Sequence, residues 1–296
     1  MEVLIRFLTL LLVYSFSTAG LAQELKLATW NLEWLSSSAS AKFPSSKRTN
    51  QDFNMLASYF KQIDPDILAF QEVNDVQAIR RVVGSKYRIY LSDRSTSRYL
   101  VNQFRDINQY TGFAIRRTIN VVNKPDIRLE KSKSSRLRFA TYLVIKPLHK
   151  KPIHLLSVHL KAGCTGKYYN SHSCVALKRE GDSLNHWIQQ RTKQKQPYMI
   201  LGDFNHQLAR SNDWLWNLIV KGIKPNPTLS TKNIKAGCLV RSKKNPTKTH
   251  RYRSLIDHII LSHNLKANNT SQLSFAKGDV LKRNLSDHCL VSLELN

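Results

Sequence analysis

The chain is short of acid. Aspartate and glutamate together number 20 against 46 lysines and arginines in 296 residues, a formal charge of +26. Such a field attracts polyanions and makes association sensitive to salt. Nucleic acid heads the partners that fit, followed by anionic lipid surfaces and acidic polysaccharides. A basic surface that serves only solubility is the plain alternative. Cysteine is scarce too: Cys164, Cys174, Cys238 and Cys289 are the four, and the absence of close Cys-x-x-Cys pairs argues against a structural zinc site. There is no repeat, no low-complexity tract and no convincing linker, so one domain is expected from 23 to 296.

Long apolar runs are nearly absent as well. The exception is Phe7 to Phe16, preceded by Arg6 and followed by the small residues Thr18, Ala19, Gly20 and Ala22, the layout of a signal peptide over 1 to 22. An uncleaved anchor is the alternative, although the run is short for a bilayer. No later stretch is apolar enough to cross a membrane, so no integral membrane segment is expected after cleavage. A secreted or periplasmic protein follows, in a compartment where cysteines pair. Cys164 and Cys174 bracket a short polar loop that a disulfide would close. Cys238 and Cys289 stay open, because Cys289 suits a buried free thiol nearly as well as a bridge.

What is present is a series of apolar strands that stop at polar residues. Tyr198 to Asp203 runs into Gly202-Asp203-Phe204-Asn205, where Asp203 and Asn205 share one side of an extended backbone. Leu25 to Trp30 delivers Asn31, and Ile67 to Phe70 delivers Gln71-Glu72. An acid there suits a metal ligand, or else a cap for the helix expected over Val76 to Val83. Ile153 to Val158 ends at His159 and Lys161; a satisfied structural histidine is the ordinary reading of such a ring. Asp257 sits in the apolar run Leu255 to Ile260 and calls for an imidazole or a cation. Ser286-Asp287-His288 precedes the strand Cys289 to Leu293. Amphipathic helices are expected over about Gln51 to Gln62, up to about Gln194, and near Asn212 to Val220. Residues 221 to 253 read as a basic loop carrying Arg241, Lys243, Lys244 and Arg251 with Tyr252 among them, which suits a phosphate backbone or a merely solvated loop.

In their order, Trp30-Asn31-Leu32, Gln71-Glu72, Tyr110-Thr111-Gly112, His159-Leu160, Gly202-Asp203-Phe204-Asn205, Ile256-Asp257-His258 and Ser286-Asp287-His288 resemble the endonuclease/exonuclease/phosphatase superfamily. That superfamily includes pancreatic-type deoxyribonuclease, abasic-site endonucleases, inositol polyphosphate phosphatases and neutral sphingomyelinases. The resemblance runs from about Leu25 to the C-terminus. It implies an α/β fold: a four-layered α/β sandwich of two mixed β-sheets packed face to face with helices outside. It further implies Mg²⁺, with Mn²⁺ or Ca²⁺ as alternatives, bound by Glu72 with Asn31 and Asp287. Asp203 and Asn205 would position the nucleophile and a phosphate oxygen, and His159 would hydrogen-bond the phosphate. His288, oriented by Asp257, would act as base or transition-state stabiliser. Tyr110 matches a phosphate-contacting tyrosine, and Arg138 is a phosphate-binding arginine by position, with Arg136 almost as good. The function implied is a metal-dependent nuclease with nucleic acid as its partner; no protein partner is expected, and with it a monomer. A sphingomyelinase-like lipid phosphodiesterase and a non-catalytic nucleic-acid-binding protein are the alternatives.

Overall fold

The computed structural model describes residues 24–147 and 151–296, and the expected signal segment lies outside them. The chain first forms β1 (Leu25–Leu35), α1 (Asn50–Ile63), β2 (Ile67–Val73), α2 (Val76–Val83), β3 (Tyr87–Leu91) and β4 (Tyr110–Arg116). It continues through β5 (Asn120–Ile127), β6 (Ala140–Lys146), β7 (Ile153–His159), α3 (His172–Lys193), β8 (Tyr198–Asp203) and α4 (Trp214–Ile219). The last part holds β9 (Thr228–Leu229), β10 (Leu239–Arg241), β11 (Thr249–Arg251), β12 (Asp257–Leu261), β13 (Ala267–Leu273), α5 (Lys277–Lys282) and β14 (Leu290–Leu295). Local chemistry sets the helix starts. Thr49 and Asp52 form a reciprocal capping box on α1, Asp75 caps α2 through the Ala78 N–H, and Ser171 caps α3 through the Cys174 N–H.

Two six-stranded sheets result, in the orders β13-β14-β1-β2-β4-β3 and β5-β6-β7-β8-β12-β9. Each has one parallel pair at its centre, β1 with β2 and β7 with β8, and is antiparallel elsewhere. The sheets face each other across an apolar layer that includes Leu27, Ile67, Phe113, Leu143, Leu155, Met199, Ile259 and Val291. Their outer faces are covered separately. Phe53, Leu56 and Phe60 of α1 and Ile79 of α2 pack on Trp30 and Phe70, while Leu177, Leu184 and Ile188 of α3 and Leu215 of α4 pack on Leu156 and Ile200. Helix, sheet, sheet, helix is the four-layered sandwich expected.

The structure adds what the sequence reading passed over. β3, β5 and β13 are edge strands, and their half-exposed sequences, such as Asn-Val-Val-Asn-Lys-Pro-Asp-Ile and Ala-Asn-Asn-Thr-Ser-Gln-Leu, carry little of the apolar alternation that marks an inner strand. The basic stretch 221 to 253 is a loop only in part, for it holds β9 and the separate hairpin of β10 and β11. Cys164 is bridged to Cys174, and Cys238 to Cys289, which settles the pairing left open above. Among the described residues no helix is long and apolar enough to cross a membrane.

Candidate active site

The ends of five central strands meet at one rim. In the second sheet, His159, Asp203 and Asp257 lie side by side across β7, β8 and β12, because the registers pair Asp203 with both neighbours. In the first, Asn31 of β1 stands beside Gln71 of β2, one residue before Glu72. The sheets are joined here by polar contacts. Asn31 Nδ2 donates to Glu72 Oε1 at 3.1 Å and to Asp203 Oδ2 at 3.0 Å, and His159 Nε2 lies 3.5 Å from each of the same oxygens. Just below, Thr29, Gln71 and Ser157 form a buried hydrogen-bonded chain from one sheet to the other.

His288 arrives from the segment before β14. Ser286 Oγ donates to the Asn31 carbonyl at 2.7 Å and accepts the His288 N–H at 3.0 Å, while the Trp30 indole donates to the His288 carbonyl at 3.0 Å. The ring then sits between two acids: Nδ1 is 2.8 Å from Asp257 Oδ2, and Nε2 is 3.8 Å from Asp203 Oδ2. Asn205 takes a turn conformation in which its N–H donates to Asp203 Oδ1 at 2.7 Å and its amide donates to the Leu160 carbonyl at 3.0 Å.

The backbone bends sharply at these residues. Glu33, Trp34, Glu72 and Asn205 have φ of 44°, 53°, 57° and 51°, in the left-handed region. Such conformations are unremarkable for asparagine but cost roughly 1–3 kcal/mol at bulky residues, and they gather where surrounding structure forces them. Two ladder irregularities coincide with them, between Asn31 and Leu35 on β1 and between Phe70 and Val73 on β2. These bulges re-aim Glu72 toward Asn31 and His159.

Charge is tightly coupled here. Burial raises Asp203 to about 7, with Asp257 adding to the effect and His288 opposing it. For His288 burial disfavours the charged ring, yet Asp257 and Asp203 overcome it and hold the imidazole well above its ordinary value. His159 is displaced the other way, well below 6.5, by burial and then by Arg138 and His288. Glu33, which accepts the Asp287 N–H at 2.9 Å, is raised to about 7 by burial and by Asp287.

Other expected residues stand further out. Asp287 pairs with Lys243 at 3.0 Å, and its second oxygen lies 3.9 Å from His288 Nε2. Asn31 offers its amide nitrogen to the carboxylates while its oxygen accepts the Glu33 N–H, so in this arrangement it orients acids rather than presenting a ligand oxygen. Arg138 donates to the His159 and Leu160 carbonyls at 3.2 and 2.7 Å, which spends its guanidinium on bracing the end of β7. Tyr110 is buried with the Arg94 guanidinium 5.0 Å from its ring centroid. Lys161 donates to the Ala162 carbonyl, Arg241 to the Pro246, Leu281 and Arg283 carbonyls, and Arg251 to Gly237; Lys244 is exposed. A cleft of about 930 Å³ runs from Asn205, Asp257, Asp287 and His288 along the hairpin to Arg251, Tyr252 and Arg253.

Glu180 was not singled out in the sequence, although an acid between Leu177 and Leu184 on the apolar face of α3 is a readable signal. Its Oε2 accepts the Lys161 N–H at 2.7 Å, so with Arg138 it fixes the turn that follows His159. Burial raises its carboxyl from 4.5 to about 7. The folded chain therefore holds this proton to higher pH than the unfolded chain does. Its contribution to stability is full below about pH 4.5 and is lost as pH rises through about 7, by at most roughly 3 kcal/mol. Glu180→Gln should flatten the fall of melting temperature between pH 5 and 8; an unchanged slope would assign it elsewhere.

A hard divalent cation fits this donor set. Glu72 and Asp203 turn carboxylate oxygens toward the same Asn31 amide, Glu33 and Asp287 form a second acidic pair beyond them, and Asp257 Oδ1 is buried without a hydrogen-bond partner. Ligand atoms of Asp203, Asp257 and His288 also lie within 4.8 Å of one another. Oxygen-rich sites suit Mg²⁺, Mn²⁺ or Ca²⁺.

Residues 28–288 match the Endonuclease/Exonuclease/phosphatase family. The chain belongs to that family. Endonuclease/Exonuclease/phosphatase proteins are hydrolases of phosphoester bonds. No curated protein matches the sequence. Solved structures share the fold at low identity. The endonuclease/exonuclease/phosphatase from Bacteroides vulgatus superposes with a TM-score of 0.66 at 14% identity, over 92% of this chain and 98% of that one. The mannosyl-6-phosphatase of Bacteroides thetaiotaomicron gives 0.63 at 16%, over 92% and 99%. TDP2 of D. rerio, complexed with a single-strand DNA product, gives 0.59 at 14%, over 93% and 99%.

Proposed function

We propose that this phosphoesterase is a divalent-metal-dependent nuclease, secreted or periplasmic, that hydrolyses phosphodiester bonds of nucleic acid, DNA before RNA. In this reading residues 1–22 are the export signal, 23–296 are one catalytic domain, and the enzyme works as a monomer. The observation that carries the proposal is the meeting of Glu72, Asn31, His159, Asp203, Asp257 and His288 at one rim of a cleft walled by Arg251 and Arg253, on a chain of charge +26. The two disulfides suit an oxidising compartment. The TDP2 structure holds a DNA product on the same fold.

Asp203, whose Oδ2 faces the Nε2 atoms of both histidines, orients the attacking water and takes its proton. Asn205 secures the other carboxylate oxygen. His288 has Nδ1 committed to Asp257, which leaves Nε2 to donate to a nonbridging phosphate oxygen as negative charge builds there. His159 donates from Nε2 on the other side, and its low basicity keeps it a neutral donor. A bound Mg²⁺, held by Glu72 with Asp287 and the neighbouring acids, would polarise the phosphate and offset the charge on the leaving oxygen. Lys161, Lys243, Lys244, Arg241 and Arg251 draw in the polyanion. Tyr110 and Arg138 act from behind this surface.

A second reading rests on the exposed pair Leu100 and Val101, which would suit contact with a membrane in a lipid-head-group phosphodiesterase. The decisive assay incubates the 23–296 protein with duplex DNA, single-stranded DNA, RNA, sphingomyelin vesicles and mannose 6-phosphate, each with Mg²⁺ or a chelator. Nucleic acid should be cut, and chelator should lower the rate by at least about two decades. Turnover of lipid or sugar phosphate with nucleic acid left intact would overturn the proposal. So would tight DNA binding without cleavage under every metal condition.

A further inference from the structure

The hairpin of β10 and β11 belongs to neither six-stranded sheet. A lone two-stranded ribbon is marginal in water, so this one depends on its attachments. Leu239 N–H donates to Ser274 Oγ at 3.1 Å, Gly237 N–H to Gln272 Oε1 at 2.9 Å, and Arg241 reaches the Leu281 and Arg283 carbonyls. The covalent attachment is the Cys238–Cys289 bridge, and it lands on the residue next to His288. From the same cysteine the Cys238 carbonyl accepts the Tyr252 N–H at 2.9 Å. Tyr252 is thus tied through one bridge and one backbone hydrogen bond to the segment that carries the catalytic ring.

The wall held this way has a particular chemistry. His250 is exposed and Tyr252 half-buried, with ring centroids 5.0 Å apart and planes at 79°, so the two rings make a corner. Arg251 and Arg253 are exposed on either side of Tyr252. All four line the cleft that contains Asn205, Asp257 and His288. Aromatic rings between cations bind a strand by stacking on its bases while the charges follow its phosphates. A base inside a duplex has both faces covered by its neighbours, so only an unpaired base can offer a face to such a ring.

We propose that His250 and Tyr252 clamp an unpaired base next to the scissile phosphate, so that the enzyme selects single strands, and that the Cys238–Cys289 bridge positions this clamp. The inference rests on the nuclease reading and names the form of its substrate. Tyr252 is here a binding residue, and the bridge acts through it.

The test uses single-stranded DNA and RNA carrying 2-aminopurine beside the scissile position, mixed with the full 23–296 protein in chelator, so that stacking is read as fluorescence quenching without turnover. Quenching is expected with wild type and with Tyr252→Phe, and its loss with Tyr252→Leu and with the double variant Cys238→Ser/Cys289→Ser. With Mg²⁺ present, the preference for single strand over duplex should fall about tenfold in Tyr252→Leu. Retained quenching in Tyr252→Leu, or wild-type cleavage of duplex as fast as of single strand, overturns the clamp and leaves the nuclease standing. Retained quenching in the double serine variant overturns the part given to the bridge. Failure to cut any nucleic acid overturns the nuclease reading itself. Tyr252→Phe guards against a folding artefact, because it keeps the ring and its packing.

Discussion

Replacing His288 with alanine should lower turnover on nucleic acid by roughly two decades or more, and Asp257→Asn should reproduce most of that loss. Among the described residues the ring is the group that faces both acids, with Asp257 at 2.8 Å on one nitrogen and Asp203 at 3.8 Å on the other. Alanine removes the donor to the phosphate and leaves two buried acids facing each other across β8 and β12 without a cation between them. Asparagine at 257 keeps the shape but removes the larger of the two charges that hold the imidazole above its ordinary value, so the ring keeps its place and loses much of its hold on the proton. Because Asp257 works through the ring, the double variant should be little worse than His288→Ala alone. Losses that multiply would show that Asp257 acts independently of His288, and would break the proposed division of roles. Apparent affinity for the strand should change little in either single variant, since both residues sit at the reacting phosphate rather than along the basic wall.

The parts of this site legible in the sequence were those that sit on inner strands or within a few residues of their ends. Glu72, His159 and Asp203 close apolar runs and Asn31 closes an alternating one, and a strand pattern that stops at a polar residue can be read without coordinates. Strand register then does the rest, since β7, β8 and β12 carry His159, Asp203 and Asp257 to one level. Glu33 was not legible in this way. It belongs to the site because the backbone at Glu33 and Trp34 turns left-handed, a conformation that non-glycine residues do not announce. The bracing part of Arg138 was not legible for a related reason: a cation near a strand start looks free, but two carbonyls left open where β7 ends accept from its Nε and Nη2. The basic hairpin was read by charge alone, because its strands are three residues each and too short to show alternation. Which cysteines pair across 51 residues also depends on tertiary approach, and no local pattern encodes it.

Gly202→Ala should be the most damaging of the small substitutions, with a loss of at least about 3 kcal/mol and a melting temperature lower by roughly 10 °C. Gly202 lies at the centre of its sheet, paired with Val158 on β7 and His258 on β12. Its φ of 154° is one that side chains rarely adopt, and an added Cβ would stand 2.0 Å from the Val158 carbonyl oxygen and 2.9 Å from Val158 Cγ2. The obstacle on that side is mostly backbone, which has no rotamer to change, so β7 and β8 must part. Their separation also acts on chemistry, because the next residue on each strand is a member of the site, His159 and Asp203, with 3.5 Å between their facing atoms. Activity per folded molecule should therefore fall as well. Gly84→Ala is the matched control: its φ of 78° is strained for alanine, but nothing lies within 4 Å of the new methyl group, so its cost should be backbone strain alone, roughly 1–3 kcal/mol and smaller than that of Gly202→Ala. Denaturant unfolding of the two variants separates backbone strain from close approach. Equal losses would mean that β7 and β8 yield without resistance, and the tight strand pairing that brings His159 to Asp203 could then no longer be what sets their distance.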